Sequence, residues 1–309
     1  MGDRPGQLRG RRGHVASAGA GRERHPPPGR GGGATVTRAS APETTGRTAP
    51  SLWSLMIVGA VAGLLSGLFG VGGGVLIVPA LVLALGFAQR IAHGTSLAAV
   101  VPISIVGAGA YLLHGSVDLR VAGLLMIGTV VGAMWGARLL SWLRQGVLRW
   151  LFIAFMLFVA VRMMLEVPAR GVDIELTLTL GAILVGVGLL TGILSGLLGV
   201  GGGVFMVPVM VVLLGMSDLT AKGVSLLVVI PTGLVATWFS LRKGNVDLRS
   251  SAAIGLTGAV TSVGGAALAF LLDPQVASIL FAAFLVVVAI RMAVHAIKQH
   301  LTPESKGSK

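Results

Sequence analysis

Gly70-Val71-Gly72-Gly73-Gly74-Val75 occurs twice in this chain. The same six residues return as Gly199-Val200-Gly201-Gly202-Gly203-Val204, so the shift from Gly70 to Gly199 is 129. Ser66-Gly67-Leu68 precedes the first copy and Ser195-Gly196-Leu197 the second, and Val78-Pro79 and Val207-Pro208 follow them. Both copies sit inside long apolar runs. Three adjacent glycines each weaken a helix by about 1 kcal/mol relative to alanine, so each run predicts a membrane helix broken at depth.

The rest of the chain copies itself in the same register. Gly94 matches Gly223, Ser96 matches Ser225, Pro102 matches Pro231, and the loop Gly115-Ser116-Val117-Asp118-Leu119-Arg120 matches Gly244-Asn245-Val246-Asp247-Leu248-Arg249. Apolar spans are expected at 52–85, 95–113, 121–143 and 147–165, then at 176–214, 224–241, 251–272 and 276–294. The domain plan is a tail at 1–50, a first membrane repeat at 51–170, a second at 171–297 and a C-terminal tail at 298–309. The fold class is therefore an all-α polytopic membrane protein: two repeated four-helix units, about eight spans, the first helix of each broken by glycine. Four crossings per unit make the repeats parallel. If each glycine segment is instead re-entrant, three crossings per unit invert them. The eight-span plan is the expectation taken forward.

Hydrophobic residues make up 54% of the chain and charged residues 11%, with a mean hydropathy of +0.89. A soluble domain carries roughly 25% charged residues. The net charge of +13 does not imply a nucleic-acid partner, because nine arginines lie in residues 1–50 and most of the others in short loops, as orienting charge does. The tail is rich in Gly, Pro and Arg without apolar periodicity and reads as disordered; no secretory h-region precedes residue 50. Placing it in the cytoplasm puts both termini there, in a plasma-membrane protein whose lipid headgroups the arginines can meet. Cysteine is absent, which excludes disulfides, thiolate metal sites and a cysteine relay. The six histidines are scattered, with no metal-binding spacing, so no metal, cofactor or enzymatic activity is expected.

The chemistry is sought at the breaks. Beyond each glycine run a short helix begins, and its free N–H groups carry about half a positive charge. Gly72, Gly73 and Gly74 with Gly201, Gly202 and Gly203 would then form a mid-plane site for one small anion; a tight helix crossing without a ligand is the alternative. His93 and Ser96, matched by Lys222 and Ser225, are candidates to add positive potential and donors, although a lysine near a helix end also snorkels harmlessly. A proton is a candidate coupling ion through His93. Pro79, Pro208, Pro102 and Pro231 are candidate hinges, each removing one backbone hydrogen bond. Gly59, Gly63 and Gly67, with Gly188, Gly192 and Gly196, form bare strips for close helix packing. Asp118 and Asp247 read as helix caps. Arg138 reads as an interface residue. The glycine run lacks the last glycine of a dinucleotide fingerprint and any GK[ST] of a phosphate loop.

The motif Gly-Leu-Phe-Gly-Val-Gly-Gly-Gly at 67–74, with Pro79 after it and a copy from Gly196, resembles the TauE/SafE family of membrane proteins, often called sulfite exporters. The resemblance covers residues 52–295. It implies about eight spans and movement of sulfite, organosulfonates or carboxylates across the plasma membrane, driven by an ion gradient. It bears on the two glycine motifs and their prolines, not on His93 or Lys222. A non-transporting assembly protein is the alternative from a different class, and an intramembrane enzyme a more remote one.

Overall fold

In a computed structural model of the chain, the structure describes residues 51–139, 150, 153–154, 156–158, 160–161, 177–198 and 202–301. The described residues are helical throughout. Helix α1 spans Leu52–Phe69, α2 Gly74–Pro79, α3 Gln89–Leu113 and α4 Leu119–Leu139. In the second half α5 spans Leu178–Leu198, α6 Gly203–Pro208, α7 Asp218–Arg242, α8 Leu248–Leu271 and α9 Pro274–Leu301. Pro79 and Pro208 each close a short helix and lead into a π-helical turn, Ala80–Ala84 and Val209–Leu213. The duplication is visible in the backbone itself. Helices α2, α3 and both π turns recur 129 residues on, and the left-handed turn glycines come in matched pairs, Gly86 with Gly215 and Gly115 with Gly244.

The course of each unit follows from its contacts. Gly73 sits against the carbonyl of Ala62, a residue two turns before the end of α1. Ile77 and Leu81 then share a buried cluster with Leu55, near the start of α1. The chain therefore turns back at the glycines, and Gly74–Ala84, about 16 Å long, returns toward the end where α1 began. We call that end proximal. Helix α3 starts there and crosses to the distal end, where the Tyr111 hydroxyl donates to Gly67 O at 2.8 Å.

Unit two runs the other way. Gly59, Gly63 and Gly67 of α1 meet Ile254, Gly258 and Ser262 of α8 in that order, so these helices are parallel. Gly188 and Gly192 of α5 meet Leu125 and Thr129 of α4, also parallel. Helices α3 and α7 are antiparallel, with Val101 against Gly233 and Leu226 against Gly107. Since α4 returns from the distal to the proximal end, α5 begins at the distal end, and the second unit is an inverted copy of the first. Among the described residues six helices are long and apolar enough to cross a membrane, while Gly74–Ala84 and Gly203–Val212 are not. The all-α polytopic plan stands, and within it the contacts of the described residues run in the order of the alternative arrangement, with the glycine segment of each unit turning back. The physical reason is length: half-helices of ten or eleven residues cannot cross the roughly 30 Å of hydrocarbon.

The strips of small residues do what their spacing suggests. A Cβ on Gly59, Gly63 or Gly67 would run into the backbone of α8, and one on Gly188 or Gly192 into that of α4. Backbones so close permit a bond between helices, Thr261 Oγ1 to Ala60 O at 2.9 Å. Each unit thus clasps the third helix of the other with its own first helix. The main apolar core lies around Phe69, Tyr111, Met206, Met210 and Phe281.

Candidate functional site

The first glycine corner is a backbone shape that side chains resist. Gly70, Gly72 and Gly73 have φ of 71°, 79° and 75°, in the left-handed region that costs an L-residue roughly 1–2 kcal/mol. Gly70 ends α1 by donating to Ser66 O at 2.8 Å. The Gly73 carbonyl opens α2 by accepting from Leu76 and Ile77, and Gly202 does the same for Phe205 and Met206. The first amides of both half-helices consequently lack intrahelical carbonyls and form the positive ends of two helix dipoles.

The start of α6 meets the first glycine corner near the middle of α3 and α7. Gly72 lies against Val100 of α3 and Val229 of α7, which are repeat mates at the crossing of those helices. Gly203, the first residue of α6, abuts the carbonyl oxygens of Gly70 and Val71. Gly72, Gly73, Gly74 and Gly203 are buried and Gly202 half-buried; Gly201 lies outside the described residues.

Around the corners sit hydroxyls without partners. Ser104 Oγ is 3.7 Å from where a Gly72 Cβ would stand, and Ser66, Ser96, Ser104, Thr191 and Ser225 are all buried with no hydrogen bond among the described residues. Ser96 and Ser225 are each one helical turn, about 6 Å, from Val100 and Val229, on the proximal and distal sides of the corner. Ser195, the repeat mate of Ser66, accepts from Gly202 N at 2.9 Å. A buried hydroxyl left unpaired costs about 1–3 kcal/mol, so this group of hydroxyls is a polar patch in an otherwise apolar bundle. Ser66, Ser104 and Thr191 escape the sequence reading. Ser104 had a signal: it shares one helical stripe with Ser96 and Val100.

The basic candidates are not brought together. His93 is half-buried at the proximal end of α3, whereas Lys222 is fully buried at the distal end of α7. Inversion of the repeats is the cause, because matched residues go to opposite ends. Lys222 backs directly onto the first corner, its Cα facing Gly70, and its ammonium donates to Asp218 Oδ2 at 2.7 Å. Pro102 lies within a continuous α3 and packs on Gly255 of α8; Pro231 lies likewise within a continuous α7. Asp118 and Asp247 cap α4 and α8 by accepting from the next amides, Arg120 and Val121 in one case and Arg249 and Ser250 in the other. The Arg138 side chain lies outside the described residues. No cluster of three or more His, Cys, Asp or Glu occurs among the described residues.

Comparison with known proteins finds similarity to a family of membrane proteins and to relatives named as membrane transporters. The profile of the family described as Sulfite exporter TauE/SafE matches residues 20–163 and 183–309. "Probable membrane transporter protein YunE" of Bacillus subtilis (strain 168) is 26% identical over 216 residues, covering 62% of this chain and 79% of the relative. "Probable membrane transporter protein YdhB" of the same organism is 27% identical over 199 residues, covering 62% and 80%. A "Probable membrane transporter protein" of Haemophilus influenzae is 29% identical over 178 residues, covering 55% and 63%.

Proposed function

The chain belongs to the sulfite exporter TauE/SafE family and is a membrane transporter, and from that premise we propose that it carries a small sulfur-containing or carboxylate anion across the plasma membrane, as a secondary transporter. The observation that supports this most is the packing of the second half-helix start on the first glycine corner, Gly203 against the Gly70 and Val71 carbonyls. Amides at a helix start favour negative charge. The unpaired hydroxyls of Ser66, Ser96, Ser104, Thr191 and Ser225 supply further donors in a dry setting where each counts for more than in water.

Inverted repeats supply the motion. Helix α2 runs from the corner to the proximal end and α6 from its own corner to the distal end, so each half-helix flanks one approach to the site. When the two units exchange conformations, the approach opens on one side and closes on the other, the scheme available to inverted-repeat carriers with broken helices. In the inverted arrangement Arg90, Arg242, Lys243 and Arg249 share the proximal end, against Arg120 and the buried Lys222 at the distal end. That imbalance supports a cytoplasmic proximal face and cytoplasmic termini.

Flux of sulfite, sulfoacetate, sulfate and acetate into proteoliposomes tests the reading. Saturable flux of one of them, lost on Gly72→Ala with folding retained, is the expected result. Absence of flux and of anion-dependent thermal stabilisation for all four would leave the assembly-protein reading in its place.

A further inference from the structure

We propose that Asp218 and Lys222 form an exchangeable internal counter-ion pair that couples anion movement to one proton; this rests on the anion-carrier reading above. The pair lies in the first two turns of α7, with side-chain exposures of 1% and 0%. Only one carboxylate oxygen is used. Asp218 Oδ2 takes the lysine at 2.7 Å, while Oδ1 is buried without a partner among the described residues. Half of a carboxylate left dry and unbonded is a poor way to hold a structure together, since buried charge is tolerated when its remaining lone pairs are satisfied.

Location says what the pair is for. The Lys222 backbone and Cβ pack against Gly70 at the first glycine corner, and among the described residues Lys222 is the one lysine or arginine that is fully buried. Its charge is cancelled by Asp218. An arriving anion competes with Asp218 for the ammonium. Once Lys222 turns to the anion, the Asp218 carboxylate is a lone negative charge in a low-dielectric interior. Such a group resolves its cost by taking up a proton. The proton comes from water on the side to which the site is open, and it leaves when the anion departs and Lys222 returns. A monoanion then crosses with one proton, without net charge.

The surroundings leave Asp218 as the proton carrier. The groups facing it are Lys222 on its own helix and Tyr111 on α3, close enough to interact electrostatically with it but already donating to Gly67 O. Helix α1, its corner and α2 carry no titratable side chain. At the same end His114 and Arg120 are exposed, and the half-buried Asp118 is engaged in capping α4. The matching positions in unit one are Gln89 and His93, and they lack a carboxylate, so the device exists in one copy.

The full chain in detergent, weakly buffered with a pH-sensitive dye, is titrated with sulfite, sulfoacetate and acetate. The expected result is uptake of one proton per anion bound by the unaltered protein. Asp218→Asn should bind the same anion without proton uptake, and Lys222→Gln should lose binding at least tenfold. In proteoliposomes a one-unit pH difference should support about tenfold anion accumulation with the unaltered protein and none with Asp218→Asn. Binding or flux without proton movement in the unaltered protein overturns the coupling and leaves the anion-carrier reading standing, and this measurement needs no variant to fold. Persistent proton coupling in Asp218→Asn, or undiminished binding in Lys222→Gln, also overturns it. No binding and no flux of any anion overturns both.

Discussion

Helices α3 and α7 occupy matching places in the two units, yet they begin differently. Gln89 and His93 open α3 with one exposed and one half-buried side chain, while Asp218 and Lys222 open α7 as a buried ion pair. Backbone features that the halves share, such as the paired turn glycines and the strips on α1 and α5, are packing devices with a steric reason to be kept twice. Features that differ lie beside the corners: the Ser195 hydroxyl is bonded where that of Ser66 is not, and Ser104 lies beside Gly72 where its repeat mate is Gly233. Inversion explains the value of such differences. Two identical halves would treat both sides of a membrane alike, and single-copy residues are what give the site a direction.

The comparison is broken most severely at the shared strips. Gly63→Leu drives a side chain into the Gly258 backbone and Gly192→Leu does the same at Thr129. Both should lose more than about 4 kcal/mol, seen as loss of monodisperse protein in size-exclusion chromatography; a difference between the halves would refute the symmetry of the clasp. Next comes the charged pair. Lys222→Met leaves Asp218 unpaired and should cost about 3–5 kcal/mol in unfolding measured in detergent, whereas His93→Met, which strands no buried carboxylate, should cost less. Gly72→Ala meets a φ of 79° and two valine methyls at 3.2 and 3.3 Å. It should cost about 1–3 kcal/mol and abolish flux while the protein remains folded. The smallest effect has the opposite sign. Ser104→Ala removes an unpaired buried hydroxyl, so thermal stability should hold or rise by up to about 1 kcal/mol while anion affinity falls; a loss of stability with unchanged affinity would make Ser104 an ordinary packing residue.

Much of this was legible beforehand, and what was not has a physical cause. The 129-residue period located the repeats and their corners because glycine triplets and turn glycines are required by backbone conformation, which one sequence displays openly. The small-residue strips were read as packing for the same reason. The direction of the second leg was invisible: residues 52–85 form one apolar run, and hydropathy does not record whether the chain goes on or turns back at Gly72. The contact of Gly73 with Ala62 decides that, and with it the inversion that sends His93 and Lys222 to opposite ends. Ser66, Ser104 and Thr191 were passed over because hydroxyls in apolar helices usually bond their own backbone, as Thr232 does with Val228 O. Asp218, following Ser217 at a helix start, looks like surface charge until α3 and the corner close over it.

The mutual clasp of α1 on α8 and of α5 on α4 has a consequence for biosynthesis. Residues 52–69 emerge from the ribosome with their intended neighbour still nearly two hundred codons away, as the contact of Ala60 with Thr261 measures. Until translation is almost finished, the bare glycine strip faces lipid or an insertion chaperone. Neither half is a self-sufficient folding domain, and a split chain should regain its architecture only when both fragments are made in the same cell.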